Sequence, residues 1–173
     1  VLSRAEKVLR DLLAEADLLE ENVWGVGVGL PGPVEYATGR PSEPPIMPGW
    51  DNFPVRERLT ATFQAPVWVD NDVNVLALGE LRSNRELRGQ DFIYVKVGTG
   101  IGAGLVSTGQ LHRGAQGSAG DIGHVAVAEA ENLACRCGKY GCLEAIAGGG
   151  ALGLQGLRAA QDGRSPILQR RFA

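Results

Sequence analysis

APVWVDNDVNVLALGEL, residues 65–81, changes its periodicity half-way along. APVWVD (65–70) reads as a buried strand. From residue 73 the apolar positions become helical in spacing, and Val75, Leu76, Leu78, Leu81 and Leu87 predict a helix over 73–88. A strand handing over to a helix is the unit of an α/β fold, and Asn71 and Asp72 stand at the strand's carboxyl end. Upstream, VWGVGVGL (23–30) alternates Val and Gly, as a strand does when another part of the chain approaches it closely. Pro31-Gly32-Pro33 ends it in a turn. Downstream, DFIYVKV (91–97) is a third strand that runs into GTGIGAGLV (98–106), with a hairpin-like return through Ser107 and Gly109. The order of strands and helices predicts a mixed sheet with flanking helices.

The remaining segments fit around these. Residues 3–20 predict an amphipathic helix with Ser3 and Glu6 as a capping box and Leu9, Leu12, Leu13 and Ala16 on its apolar face. Residues 37–54 are rich in Pro, Gly, Ser and Asn and predict a long loop pinned by Ile46, Met47, Trp50 and Phe53. A short helix is expected over 55–63 and another from about Leu143. The tail from Gly156 is polar and weakly patterned.

The chain has 173 residues, 44% hydrophobic and 21% charged, enough for one globular domain or a large piece of a bigger one. A net charge of -3 leaves no electrostatic footprint for nucleic acid or an anionic membrane. No apolar run approaches the length of a membrane span, and no signal peptide opens the chain. The 25 glycines cluster in a few loops, which points to tight backbone geometry at a site.

All three cysteines fall within CRCGKYGC (135–142). An odd count at this spacing reads poorly as disulfides. Cys135, Cys137 and Cys142 with one imidazole read well as a closed, structural zinc site, and Gly138 and Gly141 allow the tight turn it needs. The nearest histidine is His124; His112 is the rival fourth ligand, and three reduced cysteines in a glycine turn are the plain alternative. Thiolate ligands fit a reducing, cytoplasmic compartment.

Three further groups carry chemistry. Asp72 could act as a general base toward a hydroxyl, although position alone favours a helix cap. The glycines at 98, 100, 102 and 104 make neither a Walker A loop nor a dinucleotide fingerprint, yet their N–H groups could cradle a phosphate; a hairpin without ligand is the alternative. Asp121, His124 and Glu144 form an acceptor-rich set suited to a sugar, if the two acids are not simply solvated loop residues.

In order along the chain, GVGLPGPVE, VDNDVNVLALGE, GTGIGAGLV, GDIGHV and CRCGKYGCLEAIAGG resemble the ROK family of repressors and sugar kinases, over roughly residues 23–152. The resemblance implies an actin-like ATPase (ribonuclease H-like) fold of two lobes around a sugar cleft. It implies zinc on His124, Cys135, Cys137 and Cys142, and sugar contacts from Asn71, Asp72, Asp121, His124 and Glu144. It implies phosphate contacts from Gly98, Thr99, Gly100 and Gly102. In the family's kinases, which use ATP and Mg²⁺, the aspartate matching Asp72 takes the proton from a hexose 6-hydroxyl. Those kinases usually carry glutamate at the positions of Asp121 and Asp70. The first phosphate loop and any DNA-binding module are expected outside residues 1–173, so the chain reads as the central part of a ROK domain. PSEPPIMPGWDNFPV (41–55) and GDIGH (120–124) resemble the regulator branch more than the glucokinases. The expectation is the sugar-sensing domain of a transcriptional regulator, reaching DNA only through a separate module and forming a homo-oligomer. An ATP-dependent sugar kinase is the second reading, and a metal-stabilised interaction domain the third.

Overall fold

The computed structural model describes residues 1–172. They divide into two compact units, one of residues 1–75 with 113–118, the other of residues 76–112 with the chain from 119 onward.

In the first unit, β1 (Val26–Leu30) and β4 (Val67–Asn71) pair in parallel, from Val26 opposite Val67 to Leu30 opposite Asn71. Their alternate Val residues, with Leu30 and Ala65, form the core together with α1 (Leu2–Glu15) and α2 (Val55–Phe63). Helix α2 places Val55, Leu59 and Phe63 four residues apart on its buried side. The close approach expected along β1 occurs at Gly29, where a Cβ would lie 3.3 Å from the Cα of Asp72, and not at Gly27, where a Cβ would meet nothing within 4 Å.

Several expectations are corrected here. Helix α1 ends at Glu15, and its inward residues are Leu2, Glu6, Leu9 and Leu13, while Leu12 and Ala16 are exposed. The capping box does not form, because the helix starts at Leu2 and Ser3 lies inside its first turn. Ser3 and Glu6 instead accept hydrogen bonds from Arg58 of α2, at 2.8 Å each. The predicted loop contains a small antiparallel pair, β2 (Val34–Glu35) with β3 (Arg40–Pro41). Arg56 donates to the carbonyls of Tyr36 and Ala37 and so closes its turn. Met47, Trp50 and Phe53 pin the loop to the core as expected, but Ile46 is exposed.

Helix α3 (Asp72–Ser83) begins in the first unit and runs on into the second. Its buried residues are Val73, Asn74, Ala77 and Leu81; Val75 and Leu76, predicted inward, face out. It stops five residues short of position 88. Asn84 accepts the N–H of Glu86 through its side chain and starts a separate 3-10 turn over Arg85–Leu87.

In the second unit, β5 (Phe92–Val97), β6 (Ile101–Ser107) and β7 (Gln110–His112) form an antiparallel sheet in that order. Phe92, Tyr94, Val106 and Leu111 pack with Ala77 and Leu81, whereas Ile93, Val95 and Val97 are exposed on the opposite face. Parallel and antiparallel pairing thus both occur, in three separate sheets. Three helices follow: α4 (Leu143–Ala147), α5 (Gly149–Gln161) and α6 (Pro166–Phe172). The tail from Gly156 is therefore helical where its sequence pattern is weak. Among the described residues no helix is long and apolar enough to cross a membrane.

Candidate functional site

The carboxyl ends of β1 and β4 bring Asn71 to the turn after Leu30. Its side-chain N–H donates to the Gly32 carbonyl at 3.0 Å. Its Oδ1 accepts from the N–H groups of Val73 and Asn74, at 2.9 and 3.1 Å. These are the second and third residues of α3, so Asn71 is the helix cap. The plain reading of Asp72 as the cap is thereby corrected: Asp72 is the first helical residue.

Asp70, just before this pair, is 4% exposed. A buried carboxylate needs both a cation and hydrogen bonds. Arg113 supplies the first, its Nε donating to Oδ2 at 2.8 Å with the guanidinium carbon 3.8 Å over the Tyr36 ring. The N–H of Asn71 and the Nδ2 of Asn74 supply the second, donating to Oδ1 at 2.8 and 2.9 Å. Sequence reasoning passed over Arg113 and Asn74. The only available signal was the charge of Asp70 at a buried strand end, and Arg113 lies 43 residues away.

In the second unit the GTG turn (98–100) joins β5 to β6, closed by a bond from the Gly98 N–H to the Gly100 carbonyl at 2.9 Å. Glu144, in the first turn of α4, accepts the Ile101 N–H on its Oε2 at 3.0 Å. Gly149, at the start of α5, donates to the Gly98 carbonyl at 2.7 Å. The glycine turn is thus held from beneath by the segment that follows Cys142. A Cβ at Gly100 would stand 2.4 Å from Glu144 Oε2.

His124 ends a 3-10 turn (Ile122–His124) begun by Asp121. Its Nδ1 lies 3.6 Å from Cys135 Sγ, and Cys137 Sγ lies 3.7 Å from Cys142 Sγ. The four donor atoms of His124, Cys135, Cys137 and Cys142 all fall within 4.8 Å of one another. Tetrahedral bonds of about 2.3 Å to sulfur and about 2.0 Å to nitrogen would set S···S near 3.8 Å and S···N near 3.5 Å. These two separations fit, and the cluster can hold a metal ion. His112 lies on β7, outside the cluster. Burial, then the neighbouring thiols of Cys137 and Cys135, push the Cys142 thiol up to about 12. Burial also opposes ionisation of Cys137, but the Lys139 N–H and the adjoining thiols outweigh it and lower that thiol. Three thiolates crowded together need a cation to share them. The other ring nitrogen of His124 is 3.8 Å from Asp121 Oδ1, which is partly exposed.

These features have relatives. Residues 4–164 match the ROK family. The chain belongs to the ROK family. It is 39% identical over 128 residues to a glucokinase of Halalkalibacterium halodurans, covering 74% of this chain and 38% of that protein. It is 38% identical over 157 residues to a xylose repressor of Caldicellulosiruptor bescii, covering 85% and 38%. A ROK family glucokinase from Streptomyces griseus, solved with glucose and AMPPNP, superposes with a TM-score of 0.74 at 31% identity, covering 91% of this chain and 51% of that one. The chain therefore spans less than half the length of the curated relatives it matches. The fold is that of these ROK sugar kinase-like structures, and ROK relatives include both repressors and kinases.

Of the ROK residues anticipated from sequence, Asn71 and Asp72 lie in the first unit. Asp121, His124, Glu144, the glycine turn and the three cysteines lie in the second. Within that unit the structure brings Asp121 beside His124, and Glu144 beside Gly100 and Gly123.

Proposed function

We propose that this chain is the sugar-sensing, kinase-like effector domain of a ROK transcriptional regulator, built around a structural zinc ion. The observation that carries the reading is the His124–Cys135–Cys137–Cys142 cluster, which adjoins both Asp121 and Glu144. A zinc ion there would fix the loop and hold His124 by Nδ1, leaving Nε2 to face a sugar hydroxyl or Asp121. Asn71, Asp72, Asp121, His124 and Glu144 contact the sugar in this reading. Similarity to a xylose repressor over 85% of the chain supports the regulator branch. Free thiols as ligands suit the reducing cytoplasm. DNA is reached through another module, and the protein assembles as a homo-oligomer.

A kinase is the second reading, favoured by one observation: Asn71 carries the helix cap, so Asp72 does not have to. Asp72 would then accept the proton of a hexose 6-hydroxyl as that oxygen attacks the γ-phosphorus of ATP and ADP leaves. Gly98, Thr99, Gly100 and Gly102 would border the phosphates, with Mg²⁺ accompanying ATP. A coupled assay with ATP, Mg²⁺ and a hexose panel, run on the full chain and on Asp72→Asn, separates the two. The regulator reading expects sugar binding without turnover; phosphorylation that vanishes in Asp72→Asn establishes the kinase.

A further inference from the structure

We propose that Arg113 is a positioning residue for Asn71 and Asp72, acting through the buried carboxylate of Asp70. The inference rests on the reading that Asn71 and Asp72 meet the sugar.

The chain of contacts is short and directional. The Arg113 guanidinium lies over the Tyr36 ring, 3.8 Å from its centroid, and its Nε edge meets Asp70 Oδ2 at 2.8 Å. Asp70 Oδ1 turns the other way and holds the N–H of Asn71 and the side-chain amide of Asn74. Asn71 in turn caps α3 at Val73 and Asn74, with Asp72 inside that first turn. The Asp70 side chain is 6% exposed, so the guanidinium and not solvent balances its charge. Asn74 is buried as well. Without Arg113, the carboxylate is left as an uncompensated buried charge. It is then driven to turn toward solvent, and turning releases Asn71 and Asn74. The charge of Arg113 thus sets the conformation of the first turn of α3 through Asp70. The segment 113–118 is anchored to the first unit a second time at Gly117, where a Cβ would stand 2.1 Å from the Val34 carbonyl.

A neutral isostere distinguishes positioning from bulk stability. Asp70→Asn keeps an oxygen that accepts from Asn71 and Asn74 but no longer needs a cation. The experiment uses the full chain as wild type, Arg113→Met, Asp70→Asn and the double variant. Calorimetry with glucose, N-acetylglucosamine and xylose is read well below the melting temperature, together with amide exchange at Val73 and Asn74. Arg113→Met should weaken the sugar that binds wild type by on the order of tenfold and deprotect both amides; adding Asp70→Asn should restore affinity and protection to within about threefold of wild type. Wild-type affinity and protection in Arg113→Met, or a double variant as impaired as Arg113→Met, would overturn the proposal. If wild type binds no sugar, the sugar reading fails; the exchange data still decide whether Arg113 sets the first turn of α3.

Discussion

A methyl group added at residue 100 would meet a carboxylate, whereas one added at residue 120 would meet the backbone. The difference decides what each change does. At Gly100 the obstacle is Glu144 Oε2, the movable end of a side chain. Gly100→Ala should therefore cost within about 1 kcal/mol of stability yet displace Glu144 from the Ile101 N–H. Thermal melting should change little while sugar affinity falls. At Gly120, φ is +106° and the new Cβ would stand 1.9 Å from the Ala103 carbonyl oxygen, which is part of β6. Neither can yield, so Gly120→Ala should destabilise by about 3 kcal/mol or more, read as a large drop in melting temperature. At this scale the sequence was legible where chemistry is local. Cysteine spacing and the nearest histidine identify the cluster because a metal needs its donors close together. The Arg113–Asp70 pair was not legible, because no periodicity links residues 43 positions apart.

Elements were readable in proportion to the strength of their pattern. Helix α2 matches its expected bounds of 55–63 because Val55, Leu59 and Phe63 recur at the helical spacing. The β2–β3 pair escaped because two-residue strands carry no alternation. Helix α5 opens with Gly149 and Gly150, poor helix formers, of which Gly149 lies tight against the Gly98 carbonyl, so the helix around Gly156 gave little signal. The α1–α2 contact yields a prediction of its own. The hydrogen bond from Arg58 holds the Glu6 carboxyl below its ordinary value of 4.5. The unfolded chain therefore binds the proton first as pH falls. The pair's stabilisation is complete above that ordinary value and is lost as pH drops through the lower native one. Glu6→Gln should lower the melting temperature at pH 7, and the gap to wild type should close in acid; a gap independent of pH would refute the pairing. The α3 cap can be tested in the same way. Asn71→Ala removes the acceptor for Val73 and Asn74 and should cost about 1–2 kcal/mol in denaturant melts.

For the whole molecule, one cluster of sulfur and imidazole organises the second unit. A metal held there would fix Cys142, two residues before Glu144, and His124, three residues after Asp121. Through Glu144 it reaches the glycine turn at Ile101. Losing the metal should therefore loosen Asp121, Glu144 and the turn together, and Cys137→Ser should reproduce the effect of a chelator. The most direct test is a calorimetric titration of the full chain, zinc-loaded and zinc-stripped, with glucose, N-acetylglucosamine and xylose. The account predicts that one of these sugars binds the loaded protein at one site per chain, and that stripping the metal weakens it. Silence toward the whole panel, or equal affinity with and without zinc, would contradict it.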